Sequence, residues 1–191
     1  MRSVLLHRTD GPWALEIGLE HFFGVYDGHG GRRVADYAAE RLHVIVGGQL
    51  GPRGTDPPDG SYEGVLRDGF AQLNAELLAG VPVPPGNVPV PGADRTGCTA
   101  VVAIVDGGGG GDLRLTIANV GDCRAVLCLP RPGDDSVGYV GQRLSVDHKP
   151  NTPDETARIA AQPGASIIIR NGVHRVGGGE LRHCLISFAR S

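Results

Sequence analysis

The sequence predicts an α+β fold, and three observations predict it. Two segments in the first half carry apolar residues at helical spacing. The second half is a run of short β-rich stretches separated by glycine and polar turns, the pattern of strands that pair antiparallel with near neighbours. No stretch alternates strand, helix and strand in the manner of a parallel sheet, and no internal repeat is present. At 191 residues the chain is long enough for one domain with a sizeable core and short for two.

Taken in order, residues 1–20 show no clear periodicity and form an unassigned N-terminal segment; a domain is expected over 21–176 and a divergent tail over 177–191. Residues 21–26 (HFFGVY) are a short strand feeding the tight turn Asp27-Gly28-His29-Gly30-Gly31. From Arg32 the period changes: Val34, Tyr37 or Ala38, Arg41 or Leu42, and Ile45 recur at helical spacing, and Gly47-Gly48 ends the segment. After a Pro/Gly/Asp loop over 51–60, Tyr62, Leu66, Phe70, Leu73 and Leu77 place one apolar stripe along a second helix. Residues 81–92 hold five prolines and read as an extended surface loop rather than a regular element. Strands follow at 98–105, at 113–120 (Leu113, Leu115 and Ile117 alternating against Arg114 and Thr116), at 125–129 and at 139–146. Thr152 as N-cap, Pro153 at the first helical position and Glu155 closing a capping box start a short helix that ends near Gly164. A last β-rich run, 166–169, turns at Asn171-Gly172.

Composition excludes several functions. The net charge of -3 lacks the basic excess of a nucleic-acid surface. No apolar run approaches the ~20 residues needed to cross a bilayer, and residues 1–6 are too short a patch for a secretory signal, so an intracellular protein, in cytoplasm or nucleus, is expected. The cysteines at 98, 123, 128 and 184 contain no Cys-x-x-Cys pair; they read as reduced thiols acting as small apolar residues, with Cys123 and Cys128 on opposite sides of one strand. Neither glycine-rich nucleotide fingerprint, Gly-x-x-x-x-Gly-Lys-[Ser/Thr] or Gly-x-Gly-x-x-Gly, is present.

The chemistry centres on Asp27, Gly28 and His29. A carboxylate where a buried strand meets a glycine turn reaches a metal ion with little steric hindrance, and the neighbouring glycine carbonyl offers a second hard oxygen, a pairing suited to Mg²⁺ or Mn²⁺. An imidazole titrates near neutral pH and suits a general acid. The same residues also describe an ordinary Asp-Gly turn before a helix, with the carboxylate serving backbone amides.

The wider set of motifs bears on that choice. Residues 22–31 (FFGVYDGHGG), 96–102 (TGCTAVV), 118–125 (ANVGDCRA), 144–150 (LSVDHKP), 154–164 (DETARIAAQPG) and 171–176 (NGVHRV) occur in an order that resembles the protein phosphatase 2C family, with a flavour similar to its plant members. The resemblance implies a β-sandwich flanked by helices, partial here, with two divalent metals, Mg²⁺ or Mn²⁺, at one end. It implies hydrolysis of phosphoserine and phosphothreonine proteins by a metal-activated water. On it, Asp27 is similar to the carboxylate bridging both metals, Gly28 to the residue whose carbonyl binds one, and His29 to the proton donor for the departing alcohol. Asn119, Gly121 and Asp122 are expected to make a turn between strands, with Asp122 holding it by hydrogen bonds.

The chain also departs from the family pattern. The family's Arg-x-x-Met-Glu-Asp stretch has no match before His21; Glu16 and Glu20 have no Asp beside them. The Ser-Arg-Ala-x-Gly-Asp, Asp-Gly and Gly-x-x-Asp-Asn motifs, whose aspartates complete the family's metal site, are not found in residues 177–191 (GGGELRHCLISFARS). Two expectations follow: a phosphatase impaired for want of metal ligands, or an inert relative that binds partners or phosphoproteins without turnover.

Overall fold

The computed structural model describes residues 3–8, 21–50, 62–79, 82–83, 88–89, 96–107, 113–131 and 138–177. Its centre is an antiparallel sheet in the order β1 (Ser3–Arg8), β2 (His21–His29), β5 (Gly97–Gly107), β6 (Leu113–Val120). Two 17-residue helices, α1 (Arg33–Gln49) and α2 (Tyr62–Leu78), pack with it. Strand β2 is longer than its apolar run because it is paired along both edges. Its register to β1 continues through Gly28 and its register to β5 through His29, so Asp27 stands inside the ladder and the bend falls at Gly30, where φ is 72°. The unassigned first segment therefore contains an edge strand, 3–8; its pairing comes from β2 and not from any period of its own.

The period-two alternation of β2 decides which side carries the core. Phe22, Gly24, Tyr26 and Gly28 are buried, while Phe23, Val25 and Asp27 lie half-buried on the other face. Phe22 and Tyr26 join Cys98, Ala100, Val102 and Ile104 of β5, Val120 of β6, and the predicted stripes of both helices in one cluster. Val34, Tyr37, Ala38, Leu42 and Ile45 of α1 and Tyr62, Leu66, Phe70, Leu73 and Leu77 of α2 are all buried, as their spacing predicts. The helices approach closely at Gly69, where an added Cβ would lie 2.8 Å from Val46 Cγ2.

Across the helix pair, Glu76 accepts from Tyr37 Oη (2.6 Å), from Arg41 Nε and Nη2 (2.9 and 2.8 Å) and from Gln72 Nε2 (3.1 Å). Arg41 above all holds the Glu76 pKa down at about 2, and burial pushes the Tyr37 phenol up to about 12. A carboxylate whose folded pKa is depressed stabilises the fold above its unfolded value of about 4.3, and the contribution disappears as pH falls toward 2. Glu76→Gln should therefore lower the urea midpoint at pH 6 and differ much less from wild type at pH 3; an equal gap at both values would rule out the ionic origin.

Strand β6 keeps the expected alternation, but its apolar set turns away from the helices: Leu113 and Leu115 are exposed. Arg114 instead faces α2, its guanidinium 5.3 Å from the centre of the Tyr62 ring and bonded through Nε to both oxygens of buried Asp106 at 3.0 Å. A buried carboxylate needs that partner, which fixes the face.

Other elements correct the sequence reading in detail. Two two-residue strands, β3 (Pro82–Val83) and β4 (Val88–Pro89), pair within the proline-rich stretch expected to be without regular structure; proline removes ladder donors and keeps the pair short. β7 (Val126–Pro130) pairs with β8 (Tyr139–Arg143), so Cys123 lies in the preceding turn and only Cys128 is on that strand. Cys98, Cys123 and Cys128 are free thiols; Cys184 and the rest of 178–191 lie outside the described residues, as do 9–20 and 51–61. Helix α3 (Pro153–Ala160) starts at Thr152 with Pro153 as predicted, but the capping box does not form. The Thr152 N–H and Oγ1 both donate back to the Lys149 carbonyl, and Glu155 pairs with Arg158. The last hairpin, β9 (Ser166–Arg170) with β10 (Val173–Gly177), turns at Asn171-Gly172 as expected, both at positive φ (53° and 74°), the requirement that Asn-Gly meets. The architecture is mixed α+β with antiparallel pairing throughout the described strands.

Candidate functional site

The face of the sheet opposite the helices is apolar along most of its length and polar at one end. Phe23 and Val25 of β2, Val101, Ala103 and Val105 of β5, and Leu115 and Ile117 of β6 give way to Asp27, Thr99 and Asn119. Asp27 sits directly across from Thr99, so the two side chains project to the same side. Gly28 and His29 follow at the strand's end, opposite Cys98 and Gly97, with His29 exposed. The three residues singled out in the sequence thus occupy one strand terminus, and Asp27 and His29, two apart, share a face.

Glycine is needed at 28 for a packing reason. A Cβ there would lie 2.9 Å from the Gly31 carbonyl oxygen and 3.1 Å from Ala35 Cβ, so the start of α1 folds down onto the strand only because the side chain is missing. The next residues reverse the chain at Gly30 and Gly31, and α1 begins at Arg33, with the Arg32 guanidinium anchored on Asp36 at 2.7 and 3.0 Å.

The turn after β6 supports this end. Asn119 Nδ2 donates to the carbonyls of Gly121 (3.1 Å) and Val146 (2.9 Å), so it is the asparagine amide, rather than the expected Asp122 carboxylate, that ties the turn among the described hydrogen bonds. His148 donates its backbone N–H to the Gly121 carbonyl at 2.8 Å, and Gly121 N–H approaches His148 Nδ1 at 3.4 Å. That exchange gives His148 a structural task in the turn. Gly121, at φ 88°, presses on Thr99: a Cβ there would come within 2.5 Å of Thr99 Cγ2. Cys123 closes the group with its sulfur 3.0 Å from Thr99 Oγ1. Burial, chiefly, pushes the Cys123 pKa up, which keeps it a neutral thiol.

The loop 144–149 is clamped by Asp147. Arg124 grips it with Nε and Nη2 (2.9 and 2.6 Å to Oδ1 and Oδ2), Arg143 binds Oδ1, and Lys149 Nζ stands 3.6 Å away. These cations, Arg124 first, hold the Asp147 carboxyl well below the usual range. His174 and Arg175 lie on β10 in the last hairpin.

Asp27 and the Gly28 carbonyl are hard oxygen donors and fit a divalent cation by chemistry. The donor set is partial: among the described residues no group of three or more His, Cys, Asp or Glu side chains converges to hold a metal ion. Among the described residues, too, no helix is long and apolar enough to cross a membrane.

With this α+β architecture and this strand terminus in place, the chain belongs to the protein phosphatase 2C family, whose model matches residues 14–179. It is 37% identical over 161 residues to probable protein phosphatase 2C 68 of Oryza sativa subsp. japonica, covering 82% of this chain and 41% of that protein. It is 39% identical over 167 residues to protein phosphatase 2C 53 of the same species (82% and 34%) and 35% identical over 162 residues to protein phosphatase 2C 56 of Arabidopsis thaliana (82% and 32%). The chain therefore spans about two fifths or less of the length of these curated relatives.

Proposed function

We propose that this chain is part of a protein serine/threonine phosphatase that hydrolyses phosphoserine and phosphothreonine in protein substrates. The observation that carries the reading is the polar strand terminus, Asp27, Gly28 and His29 in sequence, at the end of an otherwise apolar sheet face in a chain of this family. Asp27 and the Gly28 carbonyl hold divalent metal, Mg²⁺ or Mn²⁺, together with ligands that the described residues do not include. Such ions, when bound, neutralise phosphoryl charge and acidify water. His29, exposed beside Asp27, donates a proton to the departing serine or threonine oxygen, whose alkoxide is a poor leaving group without one. An intracellular location, in cytoplasm or nucleus, and a phosphoprotein as partner go with this reading.

The partial donor set favours a second reading for the chain on its own, a phosphatase relative without turnover that acts, if at all, by binding. Divalent-metal sites depend on several fixed oxygens, and one carboxylate with one carbonyl holds a cation weakly. Hydrolysis of a phosphothreonine peptide with and without Mn²⁺, against Asp27→Ala as control, separates the two. Metal-dependent turnover that Asp27→Ala abolishes establishes the enzyme and sinks the inert reading. Absence of turnover at millimolar Mn²⁺ assigns the isolated chain to the second.

A further inference from the structure

Thr99 is the residue on which the supports of this strand terminus converge. It lies across from Asp27 in the β2–β5 ladder and projects to the same face. Its hydroxyl is 3.0 Å from the Cys123 sulfur, and either group can donate. Cys123 thereby ties Thr99 to the segment that follows β6. Gly121 packs closely on Thr99, since a methyl group on that glycine would overlap the Thr99 Cβ at 2.7 Å. Gly121 is in turn held by His148 and Asn119. A side chain packed against a turn and bonded to a thiol, directly across the ladder from Asp27, restricts where the Asp27 carboxylate can stand.

We propose that Thr99, anchored by Cys123, is a positioning residue for Asp27, its neighbour across the β2–β5 ladder. The Thr99 hydroxyl and the Cys123 thiol hold each other, the Gly121 turn packs against Thr99, and the Thr99 side chain stands beside Asp27 on the same face. The relevance to metal rests on the reading of Asp27 given above; the positioning itself does not require it. The thiol matters here as a hydrogen-bonding group, so serine at 123 preserves the arrangement and alanine removes it. Thr99→Val keeps the shape and deletes the hydroxyl, and Thr99→Ser keeps the hydroxyl.

The test uses the ¹⁵N-labelled 191-residue chain with these four variants. In metal-free protein, Thr99→Val and Cys123→Ala should shift the Asp27 and Gly28 amide resonances, and Thr99→Ser and Cys123→Ser should return them to wild-type positions. With Mn²⁺ as probe, the concentration that broadens those two amides by half should rise about tenfold in the first pair and recover in the second, the scale on which groups behind a metal ligand act. Unchanged Asp27 and Gly28 signals alongside a lower melting temperature would show that Thr99 only packs, and would overturn the proposal. If Mn²⁺ broadens neither amide in the wild-type chain, the chain by itself holds no metal at Asp27, while the metal-free shifts still decide the positioning. Should Thr99→Val fail to fold, the Cys123→Ala and Cys123→Ser pair decides the same question.

Discussion

Phe70→Ala should lower the unfolding free energy by roughly 3–5 kcal/mol, the range for deleting a fully buried aromatic ring that its neighbours cannot close over. Phe70 is 2% exposed in the middle of the α2 stripe, within the cluster that also holds Phe22, Tyr26, Leu42 and Leu66. One residue away along the helix, Gly69 meets Val46 so tightly that the two helices cannot draw together to fill the space. In a chain of this size the loss corresponds to a fall in melting temperature on the order of 10 °C. Leu113→Ala is the matched control: that leucine is 76% exposed, and its removal should change stability by no more than about 0.5 kcal/mol. Similar losses for the two substitutions would mean that the helices do not cover the face of the sheet described for them.

His29→Ala should divide substrates by their leaving group. Hydrolysis of a phosphothreonine peptide is expected to fall by about 10²-fold or more, the usual contribution of a positioned general acid. Hydrolysis of p-nitrophenyl phosphate should fall only a few-fold, because nitrophenolate departs without needing a proton. The proposed role rests on where His29 stands: it ends β2 on the face that carries Asp27, is exposed, and follows the tightly packed Gly28. Measured in whichever form of the protein turns over, equal losses on both substrates would remove His29 from proton transfer and leave it a structural end to the strand.

The helices, the strand leading to Asp27 and the Asn-Gly hairpin are legible in the sequence because each depends on local rules. A stripe at a period of 3.6 residues has only one way to bury itself, and every stripe residue of α2 is in the core. Asn171 and Gly172 accept positive φ wherever they fall in the chain. The features that sequence reasoning misses are set by partners distant in the chain. Ser3–Arg8 is a strand because β2 offers it an edge. Leu113 and Leu115 face away from the helices because Arg114 must reach buried Asp106 and the Tyr62 ring. Thr152 turns its hydroxyl back to the Lys149 carbonyl rather than into the helix. Spacing alone puts Cys123 on a strand with Cys128, and nothing in its neighbours brings it to Thr99; only the return of the chain after β6 does that.

The sequence alone determined the α+β class, the helical stripes and the short polar string Asp27-Gly28-His29, all of which rest on residue type and near-neighbour geometry. The tertiary structure decided which face of the sheet receives the helices and which residues stand behind Asp27. The reason is that an antiparallel sheet exposes two faces of similar apolar character, and the choice between them falls to a buried charge and to glycines that permit close approach, both of which act between residues far apart in the chain.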